Sequence, residues 1–591
     1  MEDKKCLAQV ISVRPNKIIV QVADLDDFKL PNEHLKVGSY IKVTNNDDAE
    51  LVAIIENFTI GFDKANEQIY LIEALPLGVL EDGEFTRGGD TIAIPPKQVE
   101  PATIDDIRAI YNAIDEKNRL KFCSLSTNKN THVPIDGNKF FNKHVAILGS
   151  TGSGKSHTLS KILQTAISSK DGDFSLNNSH IIIFDIHSEY KNAFPSANFL
   201  DIDTLKLPYW LLNSDELEEI LLDTGERDNY NQSSIFRKIV TLNKTKHNTE
   251  IPNVFYDTPI KFDLEEVVNA IYNLKNETRN AKNPDSMMIE DSEICVDKGH
   301  FFNNDDEKIN FYFSKRLKFL PTKSQSINKG MYADGTLDKF YNRLSEKIRQ
   351  DRLKFMFDND LKNTEFVSVL KQLLGYEENK KSNITVIDLS DVPFEVLTIT
   401  VSVISRLIFD YGYFYKRKRF DANPEEVINN DVPILMVYEE AHKYVPNSEL
   451  TKYRASKIAI ERIAKEGRKY GITLMLSSQR PSEISETIFS QCNNFISMRL
   501  TNPVDQNYVR KLLPDSLGGI IDILPSLHQG DALLVGDSIV LPSIVTIDRC
   551  NPEPSSSDIP YWMLWKEQWK EVEFEVIVKP LNFSYIFEKI V

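Results

Sequence analysis

Cysteine is scarce and scattered in this chain: Cys6, Cys123, Cys295, Cys492 and Cys550 are spread over 591 residues, with no C-x-x-C pair and no cluster of histidines. That argues against a disulfide framework and a zinc site, and it suits a reducing cytosol, so a cytoplasmic location is expected. Long apolar runs are missing too. The most membrane-like stretch, Val396 to Phe414, is interrupted by Thr398, Ser402, Ser405, Arg406 and Asp410 and reads as a buried helix rather than a span. The N-terminus, Met-Glu-Asp-Lys-Lys, has no apolar core of a signal peptide, and no membrane partner is expected. Positive charge is in deficit, with 70 Lys and Arg against 87 Asp and Glu and a net charge of −17. That argues against a surface coated for nucleic acid, yet a ring can keep its basic residues in a central channel and stay acidic outside, so bulk charge decides little here.

What the chain does carry is Gly149-Ser-Thr-Gly-Ser-Gly-Lys-Ser156, between the apolar run His144 to Leu148 and the helix-like Leu159 to Ile167. This fits G-x-x-x-x-G-K-[ST] at every fixed position, in the strand-to-helix context that the motif requires. Glycines let the backbone curl so that N–H groups face phosphate oxygens, and the helix N-terminus adds its positive end. Gly149, Thr151, Gly152, Ser153, Gly154, Lys155, Ser156 and His157 are the expected nucleotide contacts, with Lys155 on the β- and γ-phosphates and the Ser156 hydroxyl on Mg²⁺. ATP and Mg²⁺ are the expected cofactors.

A second landmark is Ile434-Leu-Met-Val-Tyr-Glu-Glu-Ala-His442, an apolar run closed by two adjacent carboxylates. Side chains alternate along a strand, so the two acids serve different tasks. Glu439 is expected to hold Mg²⁺ through water, and Glu440 to orient or deprotonate the water that attacks the γ-phosphate. The run Ile472 to Gln479 ends in a polar triplet that offers Gln479 as a γ-phosphate sensor. Phosphoryl transfer also needs a cation against the departing charge, often from a neighbouring subunit. Arg468 is the first candidate, with Arg480 and Arg499 in reserve. Asp185-Ile-His-Ser-Glu-Tyr190 closes another apolar run and makes His187 and Glu189 candidates for supporting groups, on equal terms with ordinary loop polarity.

Around this centre, residues 1–95 hold short alternating runs with Asn, Asp and Gly between them, the signature of a small barrel or sandwich. Residues 96–142 read as a connector. The nucleotide domain takes 143–213 and 381–550, interrupted over 214–380 by a Lys- and Asn-rich helical insertion with a solvated surface. Lys452, Arg454 and Lys457 follow the acid pair as a short basic run that could meet phosphates or simply face solvent. In 551–591, Trp562, Trp565 and Trp569 fall on one helix face that must be buried, in a neighbouring subunit or in its own core.

Taken together, Gly149 to Ser156, Asp185 to Tyr190, Val437-Tyr-Glu-Glu-Ala-His442, Glu466-Gly-Arg-Lys-Tyr-Gly471 and Ser477-Ser-Gln-Arg-Pro481 resemble the HerA family of hexameric DNA translocases, which is similar to FtsK and the conjugative coupling ATPases. The resemblance covers about residues 5–95, 140–200 and 383–550. It implies an α/β fold: a RecA-like P-loop ATPase core with a small N-terminal β-barrel and a helical insertion. It further implies a homohexamer around double-stranded DNA, an arginine at the position of Arg468 acting in trans, and a separate effector, either a nuclease in DNA end processing or a sirtuin-like NADase in antiviral defence. No nuclease or NADase motif is found in the chain itself. The rival expectations are an ATP-switched ring that scaffolds and activates such an effector without processive movement, and a monomeric nucleotide kinase.

Overall fold

The computed structural model describes the chain apart from residues 1–7, 15, 26–27, 29–34, 45–48, 63–65, 89–97, 223–228, 291–298, 378–379, 426–429, 449–453, 514–517, 557–558 and 572–591. Residues up to Ser555 form one compact unit and Ser556–Val591 a second.

The N-terminal strands are β1 (Ala8–Arg14), β2 (Lys17–Val22), β3 (Tyr40–Thr44), β4 (Glu50–Phe62), β5 (Gln68–Glu81), β6 (Glu84–Arg87) and β7 (Val99–Pro101). They order as β1-β2-β5-β4-β3-β7, with β6 on β5, and the sheet curls until Gln98 bridges Gln9. Alternation puts Val10, Ile18, Val20, Ile41, Val43 and Ile72 into its interior, all essentially buried. The sheet thus takes in Val99–Pro101, beyond the expected end of the module at residue 95, because β7 pairs with β3. Helix α1 (Ile104–Tyr111) follows, opened by a capping box between Thr103 and Asp106. Next comes β8 (Cys123–Leu125), which the sequence assigned to the connector. It is the edge strand of the central sheet.

The central sheet has ten strands. After β8 come β9 (His144–Leu148), β10 (His180–Asp185), β11 (Asn198–Leu200), β12 (Ile384–Asp388), β13 (Ile434–Tyr438), β14 (Ile472–Ser478), β15 (Cys492–Met498), β16 (Asp531–Gly536) and β17 (Ser543–Ile547). Their spatial order is β11-β12-β10-β13-β14-β9-β15-β16-β17-β8. From β11 to β15 all neighbours are parallel, and the last three strands run antiparallel. Strands β9 and β13 are buried at every position, as continuous apolar runs in a doubly covered parallel sheet must be. One strand, β14, separates β9 from β13. The ends of these strands therefore meet at one edge of the sheet.

Helix α2 (Lys155–Ser168) follows β9. The insertion contributes α3 (Ser214–Leu221), α4 (Asn229–His247), α5 (Leu264–Asn276), α6 (Asp305–Tyr312), α7 (Asp338–Lys347) and α8 (Phe366–Leu373), together with a small four-stranded sheet that the sequence did not announce. Its apolar residues, among them Leu217, Phe236, Ile271 and Phe340, belong to the same continuous core as Val403 and Ile404 of the long helix α9 (Phe394–Ala422). The insertion is thus a built-in part of the nucleotide domain. Helix α10 (Arg454–Glu466) packs on α9 and on β14, then tightens into a 3₁₀ turn, Gly467–Tyr470, before Gly471 turns the chain in the left-handed region.

In the second unit the described residues include a single helical turn, α11 (Tyr561–Leu564), where Trp562, Trp565 and Trp569 are exposed. The aromatic helix face expected from their spacing is not continuous, since the helix stops before Trp565 and so short a segment has little intrinsic stability. Among the described residues, no helix is long and apolar enough to cross a membrane.

Candidate active site

The turn from β9 into α2 is built by backbone constraints. Gly154 caps α2 with φ of 104°, a conformation that L side chains rarely adopt. Gly149 has no room for a side chain: a Cβ there would lie 2.5 Å from Ser153 Oγ and 2.9 Å from Met498 Cβ. Neighbouring strand ends hold the loop on both sides. Gly149 N donates to the Ser478 carbonyl (3.2 Å) and Ser150 N to the Arg499 carbonyl (2.8 Å). Ser150 Oγ lies 3.2 Å from Thr501 Oγ1 and accepts from Thr501 N, while Gly530 N donates to the Ser153 carbonyl. A glycine-rich loop so fixed at a helix N-terminus is an anion-binding concavity.

Lys155 is half-buried at the first position of α2, with Nζ 3.4 Å from the Ser150 carbonyl. Burial lowers its pKa, and Glu440, Glu439 and Glu189 pull it back up. The lysine and three carboxylates from β10 and β13 thus share one electrostatic site. Asp185, at the end of β10, accepts N–H bonds from His187, Glu189 and Tyr190, which fixes the following turn. Burial raises its pKa, and those three donors oppose the rise. Tyr190 donates its hydroxyl to Glu439 Oε1 (3.4 Å) and also engages the Ser156 side chain. His187 is exposed and joins only through its N–H.

Glu439 is buried, and its pKa is pushed well above the usual carboxylate range, first by burial and then by Asp185 and Glu189. Its Oε2 and the Oε2 of Glu189 are buried without a hydrogen-bond partner. Buried carboxylates crowded in this way need a cation. Among the described residues no three acidic, histidine or cysteine side chains converge as a metal cage, and an ion that arrives with phosphates needs none. Ser156 and Glu439 fit a Mg²⁺ of that kind.

Glu440 takes a left-handed conformation, φ 46°, unusual for a non-glycine residue and typical of a functional turn. The turn aims its carboxylate at β14: Oε2 lies 3.4 Å from the Gln479 backbone N–H that donates to it and 3.3 Å from His442 Nδ1. Gln479 Oε1 in turn accepts from the Thr151 hydroxyl at 2.5 Å. The residues expected at the nucleotide, Gly149 to Ser156 with Glu439, Glu440 and Gln479, come together at one strand edge. His157 lies one position further along α2, its Nδ1 3.4 Å from Cys550 Sγ.

The three arginines separate. Arg499 follows β15 beside the loop, with a buried Nε that has no partner. Arg480 is exposed and paired with Glu483 at 2.6 Å. Arg468 is exposed in the 3₁₀ turn that precedes β14, at the opposite end of that seven-residue strand from Gln479. At about 3.3 Å per residue the two are roughly 20 Å apart, so Arg468 cannot serve the loop of its own chain. Beside it His144 is buried, donating from Nε2 to the Ala464 carbonyl and accepting from Leu474 N at Nδ1, and burial lowers its pKa to about 4. Of the short basic run, Arg454 opens α10, 3.8 Å from Asp215, and Lys457 follows within it. Lys452 lies outside the described residues.

Sequence reasoning missed Tyr190, His442, Ser478, Thr501 and Gly530 as parts of this site. The first three lie within stretches that were read but were given no role there, and their polarity beside an apolar run was the available signal. Thr501 and Gly530 arrive from distant strands and gave none.

Comparison with known proteins matches residues 120–408 to the family model described as helicase HerA, central domain. The chain is 25% identical over 577 residues to a "Probable helicase" of Methanocaldococcus jannaschii, covering 92% of each. It is 25% identical over 580 residues to the "DNA double-strand break repair helicase HerA" of Saccharolobus solfataricus, covering 94% of this chain and 95% of that one. The bacterial conjugative coupling protein TrwB is a slight structural likeness, with a TM-score of 0.43 and 10% identity over 76% of this chain and 94% of that one.

Proposed function

We propose that this chain, which matches the HerA central-domain model over residues 120–408 and is similar to HerA helicases over most of its length, is an ATP-hydrolysing homohexameric motor with a RecA-like core that moves along or unwinds double-stranded DNA. The observation that carries the reading is the meeting of Lys155, Glu439, Glu440 and Gln479 at the ends of neighbouring parallel strands. Lys155 binds the β- and γ-phosphates, and the N–H groups of the loop cradle them. Ser156 and Glu439 would hold Mg²⁺, which would supply charge neutralisation of the phosphates. Glu440 orients the attacking water and receives its proton, and Gln479 reports the γ-phosphate to β14. Arg468, facing away from its own loop, completes the site of the adjoining subunit. A separate effector, a nuclease or a sirtuin-like NADase, supplies the chemistry that this chain lacks, in end processing or antiviral defence.

Two substitutions and one assay test this. Lys155→Ala abolishes hydrolysis and weakens ATP binding. Glu440→Ala abolishes hydrolysis by about 10²–10⁴-fold while ATP stays bound. Displacement of a third strand from a DNA triplex with ATP marks a translocating motor, and an ATP-switched scaffold leaves it in place. Wild-type turnover by Glu440→Ala overturns the assignment of the base.

A further inference from the structure

The carboxylate of Glu440 is held from two directions. Its Oε2 accepts the Gln479 N–H (3.4 Å) and faces His442 Nδ1 (3.3 Å), and no contact of its Oε1 enters this arrangement. His442 reaches that place because the left-handed Glu440 leads into a 3₁₀ turn, Ala441–Lys443, closed by Lys443 N donating to the Glu440 carbonyl at 2.8 Å. The same Nδ1 is 3.1 Å from Ser478 Oγ, which accepts from Arg480 N, while the Ser478 carbonyl accepts from Gly149 in the phosphate loop. One imidazole nitrogen therefore stands between the acid pair and the end of β14. The side chain is only 9% exposed. Burial lowers its pKa, against the pull of Glu440, and so favours the neutral ring. A bare Nδ1 lone pair against a carboxylate oxygen is repulsive, whereas an Nδ1–H satisfies both oxygens it faces.

We infer that His442 is a positioning residue for hydrolysis: as the Nδ1–H tautomer it fixes Oε2 of Glu440 and ties it to Ser478, so that Oε1 is the oxygen presented to the attacking water. This rests on the assignment of Glu440 as the base. A donor that orients a catalytic group affects the step in which that group acts and leaves substrate binding alone.

The test is steady-state ATP hydrolysis by the full chain with magnesium, alongside binding of a fluorescent ATP analogue. His442→Ala is expected to lower kcat about tenfold or more with KM and analogue affinity unchanged, and His442→Asn, whose amide N–H falls near Nδ1–H, to recover most of the loss. Wild-type kcat in His442→Ala overturns the inference, as does a loss that Asn fails to repair or one shared by analogue binding. Lys155→Ala and Glu440→Ala run in parallel. If both are inactive while His442→Ala is not, only this inference fails; if either turns over like wild type, the reading of the whole site fails.

Discussion

Arg406 shows what single residues hide. In the sequence it is one of the polar interruptions that argue against a membrane span. In the fold it is half-buried and bidentate with the buried Glu216, with Nη2 at 2.8 Å from Oε2 and Nε donating to Oε1 at 3.2 Å, while Nη2 also donates to the Leu211 carbonyl and Ser402 donates to Glu216. Removing one partner leaves the other charge buried and uncompensated, so Arg406→Ala should cost about 3–5 kcal/mol, read by denaturant unfolding. Arg406→Met together with Glu216→Leu should recover much of that loss. The arginine was legible as non-membranous, but its partner, 190 positions away, was not. The active site divides in the same way. Lys155, Glu439, Glu440 and Gln479 each end or follow an apolar strand and could be read singly. The Thr151–Gln479 bond and the partnerless oxygens of Glu439 and Glu189 depend on which strands lie side by side, and local pattern does not encode that.

Among elements, α10 is the one whose setting departs furthest from its sequence. Its start is governed from elsewhere: Ala455 N donates to Glu219 Oε2 at 3.1 Å, so α3 of the insertion caps α10. The insertion, expected to be a solvated surface, grips the helix that leads to Arg468. Burial raises the Glu219 carboxyl to about 7, against a usual value of 4.5. The folded chain thus keeps a proton that the unfolded chain releases, and stability declines as pH climbs from about 4.5 to 7. Glu219→Gln removes that decline. Its melting temperature should exceed the wild type's by more at pH 8 than at pH 5, the difference amounting to about 1–2 kcal/mol once partial exposure is allowed for.

For the molecule as a whole, the proposed ring makes a mixing experiment decisive. Lys155→Ala and Arg468→Ala chains should each be inactive alone. Mixed in equal amounts and reassembled, they should regain hydrolysis, since about a quarter of interfaces then join an intact loop to an intact arginine. No recovery on mixing assigns the cation to Arg499 or another residue of the same chain. Truncation before Tyr561 should weaken assembly in analytical ultracentrifugation, as the exposed Trp562, Trp565 and Trp569 require cover; an unchanged assembly state refutes that role. The kinds of element along the chain were broadly readable because turn-rich strands, long apolar strands and Lys- and Asn-rich helices differ in composition. The edge strands β7 and β8 were not, being three residues each and defined only by the partners that receive them.

Strand β14 carries Gln479 at one tip and, just before its other tip, Arg468. Its first part, Ile472–Leu476, pairs with β13 and its last part, Met475–Ser478, with β9, so both tips are tied to the strands that carry the site. In the proposed ring, fuel arriving at one protomer would then be felt, through that strand, at the seam shared with the next. Firing would travel around the circle in a fixed sense, and a solitary copy would hold its ATP intact, a built-in safeguard against idle consumption when no complete circle exists.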